Sequence, residues 1–396
     1  MVLKRFISIL ILSILVLSMS APTNVLAADP PPGYDHTTYL PLIMRGADTL
    51  CRFGITYRPL PGVVVDPNLI KNLRVGAYLD WGATKKISLP GGVEYIHVIS
   101  VKGETEDFDD TLSFVSGSVR ANPGDYWVIG NEPDTTYNDQ GGNQQDNLLA
   151  EVYAERFYQV ATLIRQSDSM AKIGFGSLVQ PTPIRLRYLD KAWFYLKVRA
   201  GSQQKASALI DIWTTHNFIL NEQPCSIDPN NCWGTGVPPG FENDNADRIV
   251  ITNIANTYSN SIFEQRIRSL RAWMKANGEQ NKALWVTEYG SLLPPVDIPG
   301  CVPYTSCDSI NVSDTVTANF MVGTFNFMTT ATDANTGMPG DKNLLVQRWF
   351  WYSLADNRYR FGGSLYDPDN SMALTGVGTA FLNYTKSLPI DTSCVP

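Results

Sequence analysis

Eight short apolar runs, rich in β-branched and aromatic residues, punctuate this chain, and between them lie longer segments whose apolar positions recur with helical spacing. The runs are CRFGITYR (51–58), RVGAYLDW (74–81), VEYIHVISV (93–101), DYWVIGNE (125–132), KIGFGSLV (172–179), ALIDIWTTHNF (208–218), ALWVTEYG (283–290) and LVQRWFWYSL (345–354). Among the helical segments are 147–166, 185–200, 261–277 and 314–331. Strand then helix, repeated, implies parallel strands joined by crossovers. Eight such units predict a closed (β/α)8 TIM barrel in one domain. An open doubly wound sheet fits less well, because no Gly-rich phosphate loop follows the first run. The connections after the sixth and seventh runs, 220–260 and 292–311, are unusually long. In this architecture segments after strands stand on the catalytic face, where length builds the walls of a cleft. The last stretch, 362–385, reads as a loop or short hairpin entering a closing helix.

The ends of the chain change the picture of where it works. Lys4 and Arg5 precede an apolar stretch from Phe6 to about Met19, and Val25-Leu26-Ala27 fits a small-residue cleavage site. Residues 1–27 are therefore expected to be a signal peptide, since the apolar stretch falls short of the roughly 20 residues a spanning helix needs. A Pro-rich linker follows over 28–49, carrying the apolar patch YLPLIM (39–44), and the barrel domain is expected over 50–396. The expected location is secreted or cell-surface associated. The formal charge of −7 becomes −9 once Lys4 and Arg5 are lost, and no basic run occurs, which disfavours nucleic acid or anionic membrane as a partner.

Six cysteines in an exported chain suggest three disulfides, with fifteen possible pairings. Spacing favours Cys225 with Cys232 and Cys301 with Cys307, leaving Cys51 for Cys394, a pair that joins the two ends of a closed barrel. With three histidines and no cysteine pair at two-residue spacing, no metal or other cofactor is expected.

Candidate chemistry lies at two strand ends. Glu132 closes the fourth run in Asn131-Glu132-Pro133, and Glu288 stands near the end of the seventh. Strict alternation would place Glu132 on the side of Val128 and Gly130, and Glu288 on the side of Leu284 and Val286. If those residues fill the barrel, both carboxylates reach its axial mouth. Two poorly solvated carboxylates that close cannot ionise alike, and that asymmetry is what glycoside hydrolysis requires.

On these motifs the chain resembles the glycoside hydrolases of clan A. With GNEPD (130–134), YLDWG (78–82), THNF (215–218) and WVTEYG (285–290) it is most similar to the β-1,3-glucanase-like catalytic domains of the alkali-sensitive-linkage type, xylosidase-like members coming next. The resemblance implies a retaining enzyme acting on β-glycosidic bonds of a polysaccharide or oligosaccharide. Glu132 would be its acid/base, Glu288 its nucleophile, and Asn131 the partner of the sugar 2-hydroxyl. It also implies a tryptophan platform on the eighth strand, for which Trp351 is favoured over Trp349. Two positions depart from the pattern. Phe218 stands where a tyrosine often supports the nucleophile, leaving Tyr289 or Tyr78 as substitutes, and no arginine ends the second run. His216 could donate to a sugar hydroxyl or to Glu288, while Trp81 and Trp233 are either stacking surfaces for neighbouring sugars or packing residues. The other reading is a cell-surface carbohydrate-binding barrel without turnover.

Overall fold

The computed structural model describes residues 49–58, 65–103, 105–135, 145–223, 234–244, 246–293, 313–356 and 361–390. The expectations for 1–27, for most of 28–49, for Trp233 and for five of the six cysteines lie outside them. Cys51 is disulfide-bonded, to a partner outside the described residues.

Eight strands form one closed parallel barrel: β1 (Leu50–Thr56), β2 (Val75–Trp81), β3 (Glu94–Ile99), β4 (Tyr126–Asn131), β5 (Lys172–Leu178), β6 (Ile212–His216), β7 (Ala283–Gly290) and β8 (Arg348–Tyr352). Around it run α1 (Pro67–Asn72), α2 (Thr105–Ala121), α3 (Ala150–Ser167), α4 (Pro183–Ala200), α5 (Gln203–Ala208), α6 (Asn260–Ala276), α7 (Asp314–Thr330) and α8 (Gly376–Ser387). Pairing of β1 with β8, Phe53 opposite Trp349 and Ile55 opposite Trp351, closes the ring. The predicted hairpin is the pair β9 (Tyr366–Asp367) and β10 (Ala373–Leu374), which leads into α8.

Alternation along the strands divides the apolar side chains into two layers. Ala77, Leu79, Val98, Val128, Trp285 and Phe350 fill the barrel. Trp127, Phe175, Trp213, Val286 and Trp349 point the other way and pack with the helices. Gly54 is required on the inner side, since a Cβ there would stand 2.3 Å from the Phe350 ring. The sixth strand begins four residues later than its apolar run, because Ser202 caps the short helix α5, its side chain accepting from the Lys205 N–H, and helix takes Ala208. Among the described residues no helix is long and apolar enough to cross a membrane.

Candidate active site

At the C-terminal ends of β4, β6 and β7 three titratable side chains meet. His216 Nδ1 lies 2.8 Å from Glu132 Oε1, and His216 Nε2 lies 3.2 Å from Glu288 Oε1. All three are buried, at 8% exposure for Glu132, 2% for His216 and 6% for Glu288, so water screens their charges poorly. One imidazole spans about 2 Å between its nitrogens, so the two carboxylate oxygens it contacts lie within about 8 Å of each other.

Both glutamates reach the mouth by breaking alternation rather than by obeying it. On β4, Val128 faces inward and Ile129 outward, but Gly130 takes φ +102°, and a Cβ built on it would meet the Tyr153 ring at 2.7 Å on the helix side. Asn131 and Glu132 then both turn to the mouth, Glu132 in the left-handed region at φ +48°. On β7, Leu284 and Val286 belong to the outer layer while Ala283 and Trp285 fill the barrel, opposite to the parity expected from sequence. Register shifts against β6 and β8 between Val286 and Tyr289 reset the pattern, and they bring Glu288 inward. Beneath the glutamates lies a polar layer, in which Ser177 bonds Thr214 at 3.0 Å and Thr287 at 2.5 Å.

Burial pushes the Glu288 carboxyl up to about 8; nearby His216 opposes this, Glu132 adds to it, and the neighbouring Trp81 indole opposes it. For His216, burial disfavours the cation, yet the charges of Glu288 and Glu132, with the Glu132 hydrogen bond, more than offset it and raise the imidazole above its ordinary value. Both shifts have one sign: the cluster holds a proton more tightly than its separate members would.

The loop after β4 is anchored from below. Arg185, at the start of α4, donates to Asp134 Oδ2 at 2.7 Å and to Glu222 Oε1 at 2.8 Å, all three fully buried. Asp134 in turn accepts the Val179 N–H at 3.0 Å, which ties the ends of β4 and β5 together. Asp146 accepts the Asn131 N–H at 2.8 Å and the Ser100 hydroxyl at 2.6 Å; burial pushes its carboxyl up to about 6, against those two bonds. Nothing in the sequence marks Arg185 or Asp146 as supports of this loop, because their partners are distant in the chain.

Of the residues expected to serve a substrate, Asn131, His216 and Trp81 are brought together with the glutamates. Trp81 is half-buried, and its indole N–H donates to Asn131 Oδ1 at 3.2 Å. Three others are not. Trp351 is fully buried in the outer layer, edge-on to Tyr289 at 5.2 Å, with its indole N–H spent on the Gly363 carbonyl at 2.7 Å. Tyr289 packs beside Phe263 on the helix side, and Tyr78, also in the outer layer, donates to the Tyr57 carbonyl at 3.0 Å. Neither tyrosine supports Glu288. The residue of β8 that faces the mouth is Tyr352, whose ring lies 6.3 Å from Trp81 and 6.0 Å from Phe218. Phe350, two residues earlier, fills the barrel, so alternation from it would have selected Tyr352. Phe218 itself stands edge-on to His216 at 6.2 Å. Among the described residues no group of three or more His, Cys, Asp or Glu is arranged to hold a metal ion.

No family model matches the chain, and no curated protein sequence does. Among solved structures, a glucosidase from Croceicoccus marinus is similar over 86% of this chain and 68% of its own, at 12% identity and a TM-score of 0.51. A GH128 (subgroup I) endo-β-1,3-glucanase from Amycolatopsis mediterranei aligns over 84% and 99%, at 15% identity and a TM-score of 0.47. A monomeric β-xylosidase from Caulobacter crescentus CB15 aligns over 85% and 68%, at 12% identity and a TM-score of 0.46. At 12% identity the likeness to the glucosidase is one of fold.

Proposed function

We propose that this protein is a secreted, retaining glycoside hydrolase that cleaves β-glycosidic bonds in a polysaccharide, β-glucan before xylan-type chains. The observation that carries this reading is that the strand-end carboxylates of β4 and β7 converge on one imidazole, buried at the C-terminal face of a (β/α)8 barrel. Glycosidic bond cleavage needs a proton for the leaving oxygen and a negative charge against the developing oxocarbenium ion, and two carboxyl groups supply both. Glu132 protonates the leaving group while Glu288 bonds to the anomeric carbon. Glu132, now anionic, then deprotonates the water whose oxygen displaces Glu288. Asn131, beside the acid and held by Asp146 and Trp81, is the partner for the 2-hydroxyl. The rings of Trp81, Tyr352 and Phe218 form an apolar wall suited to the C–H face of a sugar. No step calls for a cofactor.

The reading as a binding barrel without turnover drew on the phenylalanine at position 218. Its motive weakens here, since His216 stands within hydrogen-bond reach of Glu288, the task a tyrosine would have performed.

Glu132→Gln and Glu288→Gln test the assignment on an activated aryl β-glycoside and on β-1,3-glucan, mixed-linkage glucan and xylan. Each variant is expected to lose at least about 100-fold in kcat/KM on its natural glucan. Glu132→Gln should keep more of its first-step rate on the activated substrate, which needs no proton. Proton NMR of the first-formed sugar should show the β anomer. Full turnover in both variants would refute the reading, and an initial α product would replace retention by inversion.

A further inference from the structure

We infer that His216 is a positioning residue that holds one mobile proton between the two glutamates and so decides which of them is acid and which is nucleophile. The inference rests on the glycosidase reading and deepens it. Its basis is the double contact: each ring nitrogen faces a carboxylate oxygen, Nδ1 toward Glu132 at 2.8 Å and Nε2 toward Glu288 at 3.2 Å, with the ring buried between them.

A neutral imidazole has one N–H and one lone pair. With both glutamates ionised and the ring neutral, one nitrogen lone pair would face a carboxylate oxygen across a buried contact, with nothing between them to bond. One added proton removes that clash in any of three arrangements of equal total charge. The ring carries it as a cation between two carboxylates, or Glu132 carries it and donates to Nδ1 while Nε2–H donates to Glu288, or the mirror image holds. The second is the state hydrolysis needs, and the two contact lengths point to it. The shorter contact is the Glu132 one, where the proton must pass between Nδ1 and Oε1. The upward shifts of both His216 and Glu288 agree with a cluster that retains one proton near neutrality. The remaining charged group acting on the ring is Asp134 at the end of β4, itself paired with Arg185.

Through a turnover the atoms balance. The proton leaves Glu132 for the glycosidic oxygen as the anomeric C–O bond breaks and a Glu288 oxygen bonds to that carbon. In the second step the incoming water gives a proton to Glu132 as its oxygen displaces Glu288. The proton regained is again shared across Oε1 and Nδ1, with Nε2–H donating to the freed Glu288 carboxylate.

Nitrogen-15 NMR of imidazole-labelled full-length protein reads this without substrate, with His216→Gln identifying the His216 signals. In the wild type at neutral pH, Nε2 is expected to be protonated and Nδ1 to show a shift intermediate between bare and protonated nitrogen. The ring should titrate above the ordinary value of about 6.5. Glu288→Gln should move the proton to Nδ1, facing the ionised Glu132, and Glu132→Gln should leave Nε2–H in place with Nδ1 bare. As a second arm, His216→Gln should move the basic limb of the kcat/KM profile at least one unit toward acid. A merely structural histidine would lower the rate at every pH and leave the limb in place. The same tautomer in wild type and both glutamine variants, or titration at the ordinary value, would overturn the inference. Because the NMR arm needs no hydrolysis, its failure stands apart from loss of the glycosidase reading, which the activity of the glutamine variants decides.

Discussion

At the scale of single residues, the cluster at the barrel mouth was more legible than its support. Glu132, Glu288 and His216 were visible because each is a titratable side chain ending an apolar run, a place where burial must be offset by a partner or a task. Aromatic roles were not legible in the same way, because a register shift of one residue exchanges the two faces of a strand. Trp351 and Tyr352 are adjacent, yet one is sealed behind the barrel wall and the other lines its mouth. The two should respond differently to truncation. Tyr352→Ala is expected to raise KM by roughly 3- to 10-fold, the worth of one aromatic contact, with little change in stability. Trp351→Ala should leave KM near the wild-type value and cost about 3–5 kcal/mol of stability through the cavity it opens. Substrate titration and chemical denaturation of both variants check this, and reversed phenotypes would mean that Trp351 is the platform after all.

At the scale of elements, strand identities followed from composition, and β7 begins and ends where its run does. What local sequence cannot carry is the way elements lock together at the C-terminal face of the barrel. Arg185 joins the end of β4, through Asp134, to the segment after β6, through Glu222, across separations of 51 and 37 residues. Three buried charges in one network are stable only as a set, because the attraction of the guanidinium for both carboxylates offsets their desolvation. Arg185→Met should therefore cost about 3–5 kcal/mol, leaving Asp134 and Glu222 buried with their charge uncompensated. Urea unfolding measures the loss, and the damage should extend to kcat because Asp134 is two residues from Glu132. A loss below about 1 kcal/mol would show that water enters the network and solvates it.

At the scale of the whole molecule, the repeated alternation of strand and helix pointed to a closed ring, and the β1–β8 pairing completes it. A ring of eight strands must bring their ends together at one mouth, so the meeting of β4, β6 and β7 follows from closure, and the cost of that meeting falls on the stability of the entire barrel. Glu288 shows the sign. Its carboxyl is pushed up to about 8 from the ordinary 4.5 as one of three groups that share the cluster's proton, so the native cluster binds that proton more tightly than the unfolded chain. Stability from this group is fully present below about pH 4.5 and is lost as pH rises toward 8; the raised His216 acts in the same direction above its unfolded value of about 6.5. Glu288→Gln removes a charge that the mouth holds at a cost, as buried functional groups commonly are. Its melting temperature should exceed that of the wild type by on the order of 2–6 °C near pH 8, and the gap should close near pH 5. Calorimetry of the two proteins at both pH values is the measurement. An equal or lower melting temperature for Glu288→Gln at pH 8 would mean that the contact with His216 solvates the Glu288 carboxylate as well as water does, and that the barrel carries no cost for placing it there.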